Sequence, residues 1–348
     1  MSRLMTTLIA LALTLTGTSA CDEASEAAFG ADGEIELRPG GYGGGGVLLN
    51  TSATGEWAID HLNVAFGNDL DGVILDGVEL PGKEKGMVIK LKSVRAEKGQ
   101  LIGESAYGTH KGDEFKNSVW YLRTPNALGA VKRTMTISQY TVDAEGLHRY
   151  VFMYPNDVTY GKHLYTLQGG SNTYKENKEN PPQTIAVCAP DPETGGSLEA
   201  LVYDGLYVDM TSGKMDKRDN TLMIACVSGG VGKAGVWGFL PYSWGIEALQ
   251  TATRAVRADY CGDGSSYTKP GNALYMKDMF GIHDFGQGAG NKTEAIWRLD
   301  GAACMNVPRD ANFSYASVDC GGWTPKWCEE DAEMGHFGDT ALIHTKIP

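Results

Sequence analysis

Residues 248–264 read ALQTATRAVRADYCGDG, and this stretch carries the strongest helical signal of the chain, followed by an abrupt stop. Its apolar side chains recur at helical spacing on one face, namely Ala248, Leu249, Ala252, Ala255 and Val256. Three polar residues fall off that face: Glu247, Gln250 and Arg254. Ser243 is a candidate N-cap, and the helix must end by Gly262. We therefore predict one amphipathic helix over about 243–260.

Most of the remaining chain has the pattern of β-strands. Short runs rich in β-branched and aromatic residues, separated by Gly, Asp and Asn, lie at 87–94, 118–123, 134–141, 149–154, 184–188, 201–208 and 222–227. We therefore expect a β-rich α+β fold with antiparallel sheets, one clear amphipathic helix and a disulfide-stapled C-terminal half.

The N-terminus has the pattern of an export signal. Residues 1–20 contain a single positive charge at Arg3, a short apolar run and then small residues before Cys21. The apolar run is too short for a membrane-spanning helix. Cleavage after Ala20 makes Cys21 the first mature residue, and we expect it to carry a lipid anchor. Plain secretion is the alternative, because Thr18 stands where a lipoprotein signal prefers leucine.

Composition changes divide the rest of the chain. Residues 21–46 are acidic and then glycine-rich, which predicts a flexible tether. A charged segment with a proline stop, KENKENPP at 175–182, predicts a boundary. We therefore expect a β-rich N-terminal region at 47–174 and a cysteine-rich domain at 183–348.

Charge excludes one class of partner. The chain has 30 Lys and Arg against 43 Asp and Glu, a formal charge of −13, so its field repels a phosphate backbone and disfavours nucleic-acid binding. Hydrophobic residues make up 42% of the chain, which is enough for a large buried core.

Three sequence blocks carry a resemblance to a known family. RADYCGDG at 257–264, GKAGVWGFLPYSW at 232–244 and EAIWRLDGAAC at 294–304 together resemble the ADYC-domain proteins. Those are exported bacterial proteins, common in myxobacteria and their relatives, whose biochemical function is not established. The resemblance covers roughly residues 180–330. It implies export and a disulfide-bearing domain, and it implies no particular reaction.

Six of the seven cysteines lie after residue 180, an even number that fits disulfides in an oxidising compartment. The six are Cys188, Cys226, Cys261, Cys304, Cys320 and Cys328. Spacing favours pairing Cys188 with Cys226, Cys261 with Cys304, and Cys320 with Cys328. Six cysteines allow about 15 connectivities, so the other pairings stay open.

One polar group is the candidate site of the chain: Arg257, Asp259, Tyr260 and Asp263. Asp and Gly after a helix end usually form a turn in which the carboxylate accepts backbone N–H groups. The alternative is that Asp259 and Asp263 flank a pocket for a small ligand or a metal ion.

Motifs for other chemistry are incomplete. A Cys261 nucleophile with His283 as base is disfavoured, since a helix C-terminus disfavours a thiolate. The histidines lack zinc spacing, the acidic clusters lack calcium-loop spacing, and the run 228–233 departs from a phosphate loop at both ends. We therefore expect no metal and no cofactor.

These observations predict an exported, lipid-anchored protein with a structural or interaction role at the cell envelope, and a non-catalytic one. Its expected partners are the membrane, through Cys21, and an envelope protein or glycan. The alternative is an extracytoplasmic hydrolase, or a carbohydrate- or calcium-binding module, that uses carboxylates near Asp259 and Asp263. Convergent carboxylates in a cleft favour an enzyme, whereas a groove lined by Trp237, Trp244, Trp323 or Trp327 favours a binding module.

Overall fold

The structure is a computed structural model that describes residues 34–36, 49, 60–65, 73–124, 131–155, 184–188, 198–269, 271–286, 292–330 and 332–348. The predicted signal at 1–20, the lipid-accepting Cys21, most of the tether at 21–46 and the boundary at 175–182 lie outside these residues. Three residues of the predicted tether form a strand that pairs with a later one.

The described residues contain sixteen strands and three helices. The strands are β1 (Glu34–Glu36), β2 (His61–Asn63), β3 (Val73–Pro81), β4 (Val88–Glu97), β5 (Gln100–Ser105), β6 (Gly108–Lys111), β7 (Val119–Thr124), β8 (Val131–Val142), β9 (His148–Pro155), β10 (Thr184–Ala186), β11 (Ala200–Val208), β12 (Met215–Cys226), β13 (Ala273–Asp278), β14 (Lys292–Arg298), β15 (Gly301–Met305) and β16 (Ile343–Ile347). The helices are α1 (Gly230–Val236), α2 (Pro241–Trp244) and α3 (Ile246–Arg257). Each of the seven predicted strands overlaps an observed one.

Seven strands close into a barrel. Their order is β2-β12-β11-β9-β8-β7-β3, and a parallel pairing of β2 with β3 completes the ring. The other pairs around the ring are antiparallel. Strand β10 adds to β9, and β4, β5 and β6 extend from β3 as a ribbon. Because β11 and β12 follow residue 183 and β9 precedes residue 174, the sheet crosses the boundary that the sequence predicts.

The barrel interior is a packed hydrophobic core. Trp120 and Phe152 are fully buried there and meet edge to face, with their ring centroids 6.0 Å apart. The ribbon folds back onto the barrel, since Leu101 and Phe115 belong to the same core. Cys188 and Cys226 also lie in it.

A second core lies between the barrel and a five-stranded antiparallel sheet, β1-β13-β16-β14-β15. Strand β12 serves both cores: Leu222 and Ile224 face the barrel interior, whereas Met223 and Ala225 face the second core. Because successive side chains of a strand point to opposite faces, a strand that is covered on both faces has a continuous run of apolar residues in its sequence.

The fold class that the sequence predicts is wrong. The structure is mostly β, with a seven-stranded barrel, three disulfides and three short helices in its described part, and it is not a balanced α+β fold. The predicted helix over about 243–260 is interrupted at Gly245, whose φ of 87° ends α2 and precedes α3. Ser243 therefore lies inside α2 and does not cap α3.

Helix α3 also lacks the exposed face of an amphipathic helix, because it lies between the two sheets. Every residue from Ala248 to Arg257 is buried. Gln250 accepts the Met215 N–H at 2.7 Å and donates to the Leu299 carbonyl at 2.7 Å. Polar residues that the pattern assigned to a solvent face thus bind backbone groups on either side of the helix.

Candidate functional site

The candidate site begins where α3 ends. Ala258 adopts the left-handed conformation, with φ 51° and ψ 42°, and this terminates the helix. The next N–H, that of Asp259, donates to the Arg254 carbonyl at 2.9 Å. The chain then turns sharply, so the residues of the ADYCGDG segment lie against the base of α3.

Asp259 is the centre of this turn. Asp259 is 1% exposed. One oxygen, Oδ2, lies 2.5 Å from Arg254 Nη1 and accepts the Gly264 N–H at 3.0 Å, while Oδ1 accepts the Asp263 N–H at 3.2 Å. Burial raises the pKa of Asp259 against the opposing effect of Arg254. Both oxygens are therefore engaged within the protein.

Arg257 and Asp263 also bind backbone groups of this segment. Arg257 donates through Nη2 to the Gly264 carbonyl, and burial lowers its pKa to about 10. Asp263 is exposed and accepts the Ser265 N–H at 2.8 Å. The arrangement is that of a carboxylate-stabilised turn, with its polar groups directed at the backbone.

Two glycines of the segment allow close approach between chain segments. At Gly262, with φ 70°, a Cβ atom would lie 1.9 Å from the Asp300 carbonyl oxygen. At Gly264, with φ 90°, it would lie 2.0 Å from the Thr211 carbonyl oxygen. The turn thus packs directly against the loop after β11 and the turn between β14 and β15, where no side chain fits.

Tyr260 joins a buried ionic cluster that the sequence did not reveal. Its hydroxyl donates to Glu294 Oε1 at 2.7 Å and accepts the Arg309 N–H at 3.0 Å. Arg309 binds Glu294 Oε2 through Nε at 3.2 Å and Nη2 at 2.9 Å. Burial raises the pKa of Tyr260 well above its usual range, so the phenol keeps its proton. Its ring stacks on Trp297, with centroids 5.2 Å apart.

The described residues form three disulfides, and one of the three predicted pairs is confirmed. Cys188 pairs with Cys226. The other two predicted pairs are wrong: Cys261 bonds to Cys320, and Cys304 bonds to Cys328.

The path of the chain beside β15 explains why two of the predicted disulfide pairs are wrong. The Met305 N–H donates to the Lys326 carbonyl at 2.9 Å, and the Cys328 N–H donates to Asn306 Oδ1 at 2.8 Å. These bonds bring Cys328 against Cys304, while Cys320 lies beside Cys261 in the ADYC turn. Three disulfides indicate that the protein folds in an oxidising environment outside the cytoplasm.

Other residues considered from the sequence take structural positions. Cys261 is in a disulfide, and His283 lies 2.8 Å from the Trp237 carbonyl through Nε2, so the two do not form a thiol–base pair. The run at 228–233 enters α1, where a Cβ on Gly232 would lie 2.1 Å from the Cys226 carbonyl oxygen, which explains that glycine by packing. Within the described ranges, no three His, Cys, Asp or Glu side chains cluster as metal ligands.

Exposed aromatic rings lie between two half-cystines. Trp323 and Trp327 are 53% and 56% exposed. Tyr315 supports the second, with ring centroids 5.1 Å apart. Of the other tryptophans named from the sequence, Trp244 is 42% exposed and Trp237 is buried. Trp237 is therefore not part of an exposed aromatic surface.

The segment 318–328 that carries these rings is held by hydrogen bonds as well as disulfides. The Tyr315 hydroxyl donates to the Pro325 carbonyl at 2.7 Å, and the Thr324 hydroxyl donates to the Val318 carbonyl at 2.8 Å. The Cys320 N–H donates to the Trp323 carbonyl at 2.7 Å. We call residues 318–328 the aromatic loop.

Comparison with known proteins gives one family. A family model described as ADYC domain matches residues 112–311, more than half of the chain. No curated protein and no solved structure matches the chain. None of the helices within the described ranges has the length and apolar character that crossing a bilayer requires.

Proposed function

We propose that this chain, which belongs to the ADYC domain family, is a lipid-anchored protein with a structural or interaction role at the cell envelope. One observation carries the proposal: Asp259 and Tyr260 of the ADYC segment are buried, whereas the neighbouring aromatic loop exposes Trp323 and Trp327. A buried segment of this kind fixes geometry, and exposed, preorganised rings are suited to binding a partner.

The ionic pairs around the ADYC segment support a structural role for it. Asp259 with Arg254, and Glu294 with Arg309, are pairs whose side chains are at most 2% exposed. Removing one member of such a pair leaves an uncompensated buried charge, which strongly destabilises the fold. Both oxygens of Asp259 bind groups of the protein, which favours a structural role for this carboxylate over a hydrolase or calcium site built on Asp259 and Asp263.

The aromatic loop supports an interaction role. Trp and Tyr provide large contact areas with few rotatable bonds, so little conformational freedom is lost on binding. Two disulfides hold the ends of the loop to different elements, Cys320 to the ADYC turn and Cys328 to β15. We propose an envelope protein or a glycan as the partner that covers these rings.

The cysteine count supports the lipid anchor. Six of the seven cysteines bond with one another, which leaves Cys21 as the seventh. A lipidated Cys21 would keep the folded part attached to the membrane through residues 22–33, because β1 (Glu34–Glu36) already pairs with β13.

Intact mass of the natively expressed protein tests the anchor. We expect cleavage after residue 20, a lipid-sized addition on Cys21, and six further thiols that alkylate only after reduction and denaturation. A Cys21→Ser variant is the matched control and should leave the membrane fraction. A mature protein without a lipid would overturn the anchor and favour plain secretion.

Site-specific photo-crosslinking in cells tests the interaction role. A photoreactive residue at Trp327 should form a discrete adduct with a partner. The same residue at Val142, which is 48% exposed on barrel strand β8, should not. Equal adducts at both positions, or none at either, would contradict a role for the aromatic loop. Melting temperature of each variant serves as the folding control.

A further inference from the structure

A second polar constellation lies on the ribbon, away from the ADYC turn. It spans the end of β5, the start of β6 and the 3₁₀ turn Gly112–Phe115. Ser105 Oγ lies 2.9 Å from His110 Nε2, and His110 Nδ1 lies 2.9 Å from Glu114 Oε1. We propose that these residues form a nucleophile–base–carboxylate site that hydrolyses small, accessible carboxylic esters. This activity would be additional to the role proposed above.

The hydrogen bonds define where the protons lie. An ionised Glu114 carboxylate only accepts hydrogen bonds, so His110 Nδ1 must carry the proton between them. In a neutral imidazole Nε2 is then the acceptor, and the Ser105 hydroxyl donates to it. This is the arrangement in which a histidine can remove the serine proton during attack.

The backbone holds the three side chains in this arrangement. His110 pairs with Gly103 across the hairpin, and Ser105 pairs with Gly108. Glu114 Oε2 accepts the Lys111 N–H at 2.9 Å, which leaves Oε1 directed at the ring. Burial opposes ionisation of Glu114, but the Lys111 N–H and His110 together lower its pKa, so the carboxylate is charged at neutral pH.

Two backbone groups act directly on the serine oxygen. The Tyr107 N–H donates to Ser105 Oγ at 2.9 Å and fixes the position of that oxygen. The Gly108 carbonyl lies 3.1 Å from the same oxygen and competes with His110 for its proton. The nucleophile is therefore activated only in the fraction of molecules whose hydroxyl points to His110.

Water is the only co-reactant that the proposed ester hydrolysis needs. Ser105 Oγ forms a bond to the ester carbonyl carbon while His110 Nε2 takes the hydroxyl proton. The alcohol leaves with that proton as the carbon–oxygen ester bond breaks. Water then adds to the acyl-serine, again giving a proton to His110, and the acid leaves as Ser105 recovers its hydroxyl proton.

Position and exposure indicate the class of substrate. Ser105 is half-buried and His110 is 7% exposed, whereas the hairpin tip between them is open, with Tyr107 73% exposed. Such a site admits a small acyl group without selecting among long ones, and Tyr107 offers a ring for an aromatic leaving group to contact. Ser105 and His110 also precede residue 112, outside the segment that matches the family model.

An acyl-labelling experiment on the full mature chain tests the proposal. The protein is incubated with 4-nitrophenyl acetate, nitrophenolate release is followed, and the acetylated peptide is identified by mass spectrometry. A fluorophosphonate probe is used in parallel. We expect both labels on Ser105 and at least about a tenfold slower release for Ser105→Ala, since general-base assistance typically contributes 10²–10⁴-fold.

Ser93→Ala is the matched control, because Ser93 is an exposed serine on β4 whose backbone pairs with Glu104 of the same ribbon. It should release nitrophenolate at the parent rate. Labels confined to lysines, or equal release by the parent and Ser105→Ala, would overturn the proposal. Because the parent protein itself is labelled, a variant that fails to fold leaves the test intact.

Two further variants separate a catalytic role from a structural one. In His110→Gly, added imidazole should restore acetylation of Ser105 and raise release above the sum of the rates of the variant alone and of imidazole alone, which a purely structural histidine would not permit. Glu114→Gln should lower kcat with little change in KM, because the amide can donate to Nδ1 and favour the wrong tautomer. No rescue by imidazole, together with an unchanged kcat for Glu114→Gln, would refute the assignment. Lipid attachment and crosslinking are measured independently, so either proposal can fail alone.

Discussion

Replacing Gly262 by alanine tests the close approach that the ADYC turn requires. The variant places a methyl group 1.9 Å from the Asp300 carbonyl oxygen, so the backbones must separate by more than 1 Å to reach an allowed contact. The Ala302 N–H donates to the Tyr260 carbonyl at 2.9 Å across the same contact and would be strained with it. The perturbation is therefore steric and falls on backbone atoms.

The expected loss has two components. A left-handed alanine costs about 1–2 kcal/mol, and forcing extra volume into a packed site costs about 1–3 kcal/mol more. We expect Gly262→Ala to lower the free energy of unfolding by about 2–5 kcal/mol. Gly271→Ala is the matched control: its φ is 80°, but no heavy atom lies within 4 Å of the new Cβ. It should lose about 1–2 kcal/mol, the conformational component alone.

Equilibrium urea unfolding in oxidising buffer measures the difference. The midpoint of Gly262→Ala should fall well below that of Gly271→Ala at a similar m-value. Gly264→Ala should resemble Gly262→Ala, since its Cβ would lie 2.0 Å from a backbone oxygen. Equal midpoints for the Gly262 and Gly271 variants would refute the reasoning, because they share the conformational penalty and differ only in the contact.

Three further outcomes follow from the buried groups. Burial lowers the pKa of His344 from 6.5 to about 4, so the contribution of this residue to stability is complete above pH 6.5 and is lost as the pH falls towards 4. His344→Gln should therefore reduce the pH dependence of the urea midpoint between pH 6.5 and 4, by an amount that corresponds to about 3 kcal/mol in the free energy of unfolding. Tyr260→Phe removes the hydroxyl donor to buried Glu294 and should destabilise by about 2–4 kcal/mol in the same assay; no change would contradict the cluster. Non-reducing tryptic mapping should join the peptide containing Cys304 to the peptide containing Cys328, whereas finding Cys304 joined to any other cysteine would contradict the chain path beside β15.

Local pattern predicted seven of the sixteen described strands and placed the helix poorly. The seven predicted strands were found because alternation and β-branched composition act over a few residues. The helix boundaries failed because the conformation of Gly245 interrupts a pattern that would otherwise be continuous. The apparent polar face of α3 failed because Gln250 and Arg254 find carbonyl partners on neighbouring segments. Such partners depend on the placement of both sheets.

Of the candidate site, only the contacts within the ADYC segment itself could be predicted from the sequence. The residues after the α3 end, and the turn in which Asp259 accepts backbone N–H groups, follow from the segment itself. Glu294 and Arg309 do not, because they lie 34 and 49 residues beyond Tyr260 and meet it only after β14 and the chain that follows β15 are in place. Two of the three predicted disulfide pairs were wrong for the same reason, since Cys261 and Cys304 bond to cysteines that are not their neighbours in the order of the sequence.

The geometry of the ADYC turn gives each of its residue types a structural role. Asp259 satisfies two backbone N–H groups and a guanidinium, which an uncharged apolar side chain could not do. Tyr260 needs both a ring to stack on Trp297 and a hydroxyl to reach Glu294. Because the close backbone contacts of Gly262 exclude any side chain, the residue types follow from how three segments meet. Binding or catalysis is then free to arise where side chains face solvent, on the aromatic loop and at the hairpin of Ser105.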